Sequence, residues 1–112
     1  MDWPNPLKEN IVKHIRLAIY DITKGSFQEL AGLTKDGMLP RFSKELGFIE
    51  YGVADIGSRK VASVTVWETR EQAEKSVTLS STWVKENISD RVQLITSYVG
   101  DLAFLHGTPV LA

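Results

Sequence analysis

The chain has no cysteine among its 112 residues, which excludes disulfides, thiol nucleophiles, iron–sulfur clusters and thiolate zinc sites. It has two histidines, His14 and His106, in different segments and with none of the short spacings of a metal motif. No metal site and no cofactor is therefore expected. No run of 18 or more apolar residues is present, so no membrane-spanning helix is expected. The polar, proline-containing stretch Met1 to Asn10 lacks the apolar segment of a signal peptide, which makes a cytoplasmic location the expectation. Neither charge sign is in excess: 13 basic residues face 14 acidic ones, a net charge of -1. That balance gives no general attraction for nucleic acid or for an anionic membrane, and neither is expected as a partner. There is no glycine-rich phosphate loop, no serine elbow and no carboxylate cluster, since Glu71 and Glu74 only enrich the first turns of a helix, where negative charge is favoured.

What is present is an ordinary globular composition, 43% hydrophobic and 24% charged, in a length that suits one core. Pro4 and Pro6 make residues 1–11 an extended arm rather than a helix, with Trp3 and Leu7 as its apolar side chains. From Val12 to Ile22 the residues alternate, Ile15, Leu17 and Ile19 on one parity and His14, Arg16, Ala18 and Tyr20 on the other, which predicts a strand. A capping box at Ser26 to Glu29 then opens a helix running to Leu46, with Gly37 and Pro40 predicting a kink near Asp36 to Leu39. Gly47 stands where a helix C-cap glycine belongs, and Phe48 to Ile56 reads as a second strand. Gly57, Ser58 and Arg59 predict a hairpin turn into a third strand, Lys60 to Glu68. A second capping box, Thr69 to Gln72, opens a helix from about Arg70 to Ile88, with Ala73, Val77, Val84 and Ile88 as its apolar stripe. Arg91 to Val99 is the fourth strand, and residues 101–112, with a Gly107, Thr108, Pro109 turn signal, form a C-terminal extension to the domain of residues 12–100.

The order βαββαβ, with each helix crossing right-handedly, predicts an α+β, ferredoxin-like protomer: a four-stranded antiparallel sheet, strands one and three central, both helices on one face. The other face is left uncovered. Strand three is largely apolar on both sides, with Ala62, Val64 and Val66 on one and Val61, Ser63, Thr65 and Trp67 on the other. An open face of that kind exceeds what soluble monomers usually expose. A two-fold contact with a second copy would cover it, so a homodimer is predicted.

The segment Met38-Leu39-Pro40, then Gly47-Phe48, then Val64-Thr65-Val66-Trp67-Glu68-Thr69 leading into Glu71 and Ala73, resembles the antibiotic biosynthesis monooxygenase-like family of dimeric α+β barrels. The resemblance covers about residues 12 to 100. It implies a ferredoxin-like protomer, a dimer whose two sheets form a barrel, and a small-molecule cavity between sheet and helices. Activities in that wider group include cofactor-independent oxidation of aromatic polyketides and haem breakdown. The haem-degrading relatives carry an axial histidine on the second helix; Ala73 to Ile88 contains none, so the resemblance does not extend to haem ligation.

Five residues are ligand-pocket candidates; no catalytic residue is assigned. Trp67 matches the tryptophan commonly found where the third strand meets the second helix in that family, and serves either as a pocket wall or as an aromatic staple closing the core. Arg16 and Tyr20 would orient an anionic or phenolic ligand, or else sit in a subunit contact. His14 is the one imidazole inside a predicted element, a base or a solvated side chain at the strand's start. Trp83, with Ser76 and Ser80 one and two turns earlier, lines a cavity under the second helix, or the serines face water and Trp83 covers the core's flank. The functional expectation is a small-molecule-binding dimeric barrel protein, with cofactor-independent monooxygenase chemistry on a small aromatic ligand. The alternative is a non-catalytic self-association or protein-interaction module, with the apolar stretch Leu102 to Leu111 as its hook.

Overall fold

A computed structural model describes residues 13–106. The N-terminal arm with Trp3 and Leu7, and the Gly107, Thr108, Pro109 turn signal, lie outside the described residues. Eight elements follow in order: β1 (Lys13–Ile22), α1 (Phe27–Leu33), a π-helical turn (Thr34–Met38), α2 (Leu39–Ser43), β2 (Phe48–Gly57), β3 (Lys60–Trp67), α3 (Arg70–Asn87) and β4 (Val92–Leu102). The sheet order is β2-β3-β1-β4, and every pairing is antiparallel. Strands one and three are central, as the topology requires.

Both capping boxes form. Ser26 Oγ accepts from the Glu29 amide while Glu29 reaches back to the Ser26 amide, and Thr69 and Gln72 exchange the same pair of bonds. Each satisfies donors that a helix start otherwise leaves without partners. The predicted kink is a π-helical turn, with the Leu39 amide bonded back to Thr34 O, five residues earlier. Its cause is local: Pro40 has no amide to continue an α-helical ladder, and Gly37 tolerates the widened turn. The turn directs Thr34 and Met38, 8% and 2% exposed, onto the sheet.

Gly47 leaves this helical stretch at φ +84° and lies against the Gln72 side chain, so that any Cβ there would collide with the capping-box amide. The hairpin between β2 and β3 is a two-residue loop, Ser58 and Arg59, both at positive φ. Arg59 is held there by its own side chain: Nε donates to Ile22 O (3.2 Å) and Nη2 to Gly25 O (3.0 Å), while its carbonyl accepts from Ile22 N (2.8 Å).

β4 runs three residues beyond the expected Val99, to Leu102, because Lys13, His14 and Ile15 continue the ladder with Leu102, Asp101 and Gly100. The helix stripe also differs from the sequence expectation. The buried residues of α3 are Ala73, Ser76, Ser80 and Trp83, whereas Val77 and Val84 are half-buried. The serines face the sheet rather than water. Their small side chains let the helix axis approach, and Ser76 satisfies its hydroxyl by donating to Ala73 O at 2.6 Å.

The two faces of β1 divide in a telling way. Arg16, Ala18, Tyr20 and Ile22 are buried under the helices, while the wholly apolar set Ile15, Leu17 and Ile19 lies on the other face. Across the register, Ile15 meets Val66, Leu17 meets Val64, and Ile19 meets Ala62; on the β4 side, Leu17 meets Tyr98, which is 60% exposed. No described element packs on that face. Among the described residues, no helix is long and apolar enough to cross a membrane.

Candidate functional site

The residues with chemistry converge between the sheet and the helices. Tyr20 on β1, Tyr51 and Val53 on β2 and Val61 and Ser63 on β3 form one wall of a small cavity; Leu30, Ala31, Thr34 and Met38 form a second; Ser80, Trp83 and Val84 on α3 close it. The enclosed volume is about 30 Å³, room for one or two waters. A wider vestibule of about 280 Å³ adjoins it against β2, lined by Ala31, Thr34, Lys35, Leu39, Tyr51, Gly52 and Val53. Ala31, Thr34, Tyr51 and Val53 border both spaces, so the two adjoin at the π turn and the middle of β2. Gly37 sets the depth of the inner cavity: it lies so close to the Trp83 indole that a methyl group there would displace the ring.

Tyr51 is the focus of the polar groups. Burial pushes its phenol above the ordinary tyrosine value, opposed by hydrogen bonding from the Thr34 and Ser63 hydroxyls; the nearby Tyr20 raises it further and the Arg16 charge lowers it. The net direction is upward, so at neutral pH Tyr51 is a phenol that donates rather than a phenolate that accepts a proton. A phenol donor, two hydroxyls and a nearby guanidinium suit a ligand that offers oxygen acceptors and an apolar ring.

Of the sequence candidates, Tyr20 and Trp83 line the cavity directly. Arg16 is 2% exposed and stands beside it, its charge felt by Tyr51. Trp67, 1% exposed, is the aromatic staple of the core. It packs edge-on against Phe42 (5.8 Å, 80°) and Phe48 (5.6 Å, 72°), and Phe42 in turn meets Tyr51 edge-on at 4.9 Å. Its outer rim borders a separate surface cleft of about 180 Å³ with Glu45, Glu71, Gln72 and Lys75. His14 is at the opposite end of β1, six residues from Tyr20, roughly 20 Å along a strand. Its Nδ1–H donates to Asp101 Oδ1 at 2.8 Å, and Arg70 Nη1 donates to the same carboxylate oxygen at 3.2 Å. The structure thus brings Tyr20 and Trp83 to the cavity, leaves Arg16 outside its lining, bonded to Ser97 on β4, and sets His14 and Trp67 apart. The sequence reading missed Tyr51, Thr34 and Ser63. The signal for Tyr51 was there: it shares parity with Val53, while Glu50, Gly52 and Ala54 on the other parity are small or charged.

No protein-family model matches the sequence, and no curated protein is detectably similar to it. The architecture does have solved counterparts. The putative antibiotic biosynthesis monooxygenase of Chloroflexus aurantiacus is 17% identical, superposes with a TM-score of 0.63, and the match covers 85% of this chain and 97% of that one. MupZ of Pseudomonas fluorescens is 13% identical at a TM-score of 0.64, over 88% of this chain and 71% of its own. SnoaB of Streptomyces nogalater, a cofactor-independent oxygenase solved as a point mutant, is 11% identical at a TM-score of 0.55, over 87% and 98%. This is the ferredoxin-like α+β fold, shared with these solved structures. At these identities the likeness establishes the architecture of the α+β protomer, and the residues of the site must carry the rest. Among the described residues, no three histidine, aspartate or glutamate side chains come together as a metal site would require.

Two exposed carboxylates give the fold a pH dependence. The Asp101 carboxyl is held below its ordinary value chiefly by the His14 hydrogen bond, with Arg70 adding to it, and Glu29 is lowered chiefly by the Ser26 amide and hydroxyl. A depressed folded-state value binds fewer protons than the unfolded chain does, so this stabilisation is present above about pH 4 and is lost as pH falls through the folded-state values. Asp101→Asn is expected to flatten the acid limb of a melting-temperature profile between about pH 5 and pH 2. An unchanged acid limb would show that the His14–Asp101–Arg70 cluster adds nothing to the fold.

Proposed function

We propose that this chain is a small-molecule-binding protein that pairs with a second copy through its open sheet face, and that its cavity takes an aromatic ligand. The observation that carries the reading is the inversion on β1. A fold that buries Arg16 and Tyr20 beside a cavity, and turns Ile15, Leu17 and Ile19 outward, puts its polar chemistry inside and its most apolar strand surface where a partner sheet would lie. A purely structural monomer gains nothing from that arrangement, because each of these half-buried aliphatic side chains gives up part of the roughly 1.5 to 3 kcal/mol that full burial contributes.

The chemistry supported best is oxidation of a phenolic ring by dioxygen with no cofactor; the chain shares its architecture with a cofactor-independent oxygenase. The phenol's ring C–H is replaced by a carbonyl: one dioxygen is consumed, one of its oxygen atoms enters the ring to give a quinone, and the other leaves as water with the two hydrogens lost. Tyr51 would donate to a ligand oxygen, Tyr20 and Trp83 would hold the ring, and Arg16 would favour build-up of negative charge on it. The enclosed 30 Å³ is smaller than such a ligand, so binding must draw on the vestibule and on movement of the π turn or of Trp83.

Incubating the protein in air with hydroxylated aromatics of one to three rings is expected to yield a quinone band by absorbance, with oxygen uptake matching product one for one. Tyr51→Phe is expected to slow turnover about ten- to a hundredfold, the loss of one donor to developing charge. Turnover at the rate of the buffer blank across the panel would rule out the oxidation, and lack of any binding would rule out the pocket.

A further inference from the structure

α3 buries two serines against the sheet, Ser76 and Ser80, 2% and 5% exposed. A hydroxyl buried within a helix ordinarily settles its hydrogen on a carbonyl three or four residues back. Ser76 does so on Ala73 O at 2.6 Å, and the exposed Ser81 does so on Thr78 O at 3.4 Å. Ser80 makes no such bond, and its hydroxyl has no hydrogen-bond partner among the described residues. Burying a hydroxyl without a partner costs its desolvation with nothing to offset it, and alanine, the best helix former, would avoid that cost.

The hydroxyl is not sealed in the packing either. Among the described residues, the buried side-chain atoms that are both shut in and unpartnered are Thr65 Oγ1 and Trp67 Nε1. Ser80 Oγ is not with them, so it keeps an opening, and the space that Ser80 borders is the inner cavity. The polar focus at Tyr51 lies elsewhere along that cavity. Tyr51 belongs to β2, one edge of the sheet, whereas α3 packs chiefly on β1, β3 and β4. Neighbouring strands are about 4.8 Å apart, so a ring held by one oxygen at Tyr51 extends across β3 toward β1, beneath α3, and turns its opposite edge to Ser80. A serine hydroxyl there donates to a carbonyl or accepts from a hydroxyl. Two oxygens on adjacent ring carbons share one edge and would meet Tyr51 together, leaving Ser80 unanswered.

We propose that Ser80 is a specificity-determining residue of this pocket, which receives a second oxygen on the edge of the ligand's aromatic frame opposite the one that Tyr51 holds. The proposal rests on the pocket reading above and adds the number and placement of the ligand's oxygens. It also gives the buried hydroxyl its reason: the partner that α3 does not supply arrives with the ligand.

The test is calorimetric titration of the intact protein under nitrogen with one-ring probes that differ only in their oxygens: phenol, catechol with its hydroxyls adjacent, and hydroquinone with its hydroxyls opposed. Hydroquinone is expected to bind about tenfold more tightly than phenol or catechol, the contribution of one neutral hydrogen bond. Ser80→Ala is expected to abolish that preference while phenol binds as before. The free Ser80→Ala protein is expected to melt no lower than the parent, because no bond within the fold is lost; a lower melting temperature would mean that the hydroxyl serves the fold, against the proposal. If hydroquinone and catechol bind the parent equally, or if the preference survives in Ser80→Ala, the assignment to Ser80 fails and the pocket stands. If none of the three probes binds, the pocket reading itself fails and this assignment with it.

Discussion

Leu17→Asp is expected to turn a dimer of twice 12.5 kDa into a monomer of 12.5 kDa, read by sedimentation equilibrium at micromolar protein. Leu17 is central to the open face, between Val64 on one neighbouring strand and Tyr98 on the other. Two-fold pairing through that face would bury two copies of the substituted residue, one from each subunit. Each buried carboxylate without a counter-charge costs several kcal/mol, and every 1.4 kcal/mol is tenfold in the dissociation constant. A loss of at least three orders of magnitude in affinity follows. The protomer itself is expected to keep its far-ultraviolet circular dichroism, because Leu17 points away from the Trp67, Phe42 and Trp83 core. A Leu17→Asp protein that still sediments as a dimer would move the interface to another surface, and a parent protein that sediments as a monomer would remove the pairing altogether.

The second large effect concerns the closing wall of the cavity. Trp83→Ala removes a 5% exposed indole that touches both the π turn and the inner cavity, and is expected to cost about 3 to 5 kcal/mol. Against a total of roughly 5 to 15 kcal/mol for a domain, this lowers the melting temperature by roughly 15 °C or more. The void it leaves is continuous with a cavity that already exists, so indole added to the solution is expected to fill it and restore stability in proportion to its occupancy. That gain reaches about 2.7 kcal/mol at a hundred times its dissociation constant. Trp83→Phe, a smaller truncation, is expected to show the same rescue at a lesser amplitude. Indole without effect on either variant would mean that the helices collapse onto the vacated space and that the cavity has no lasting shape.

Much of the fold was legible because its punctuation is local. Ser26 with Glu29, and Thr69 with Gln72, are each complete within four residues and need nothing from the tertiary structure to act. Gly37 and Pro40 gave the position of the π turn for the same reason. The site was less legible because it depends on which way each parity faces. Alternation along β1 separates Arg16 and Tyr20 from Leu17 and Ile19, yet hydrophobicity alone would assign the aliphatic set to the core, and the fold does the reverse. The stripe of α3 hid itself similarly. Valines at 77 and 84 outrank serines at 76 and 80 on any hydrophobicity scale, but the close approach of helix to sheet selects for small side chains, and the serines take the buried face. Tyr51, Thr34 and Ser63 come from three separate elements, and only the register of β2 with β3, together with the π turn, brings them to one place.

The π turn also acts as a change of phase. Each residue advances an α-helix by about 100°, so the extra residue accommodated between Thr34 and Met38 rotates everything after it by that amount relative to an uninterrupted helix. Before the turn, Leu30 and Ala31 face the cavity; after it, Phe42 faces the aromatic cluster of Phe48, Tyr51 and Trp67. A helix of constant phase would align only one of these sets at a time. With the offset, the two ends of the same helical stretch are tuned independently: substitutions at the mouth reshape what enters, while the sealed end keeps its packing.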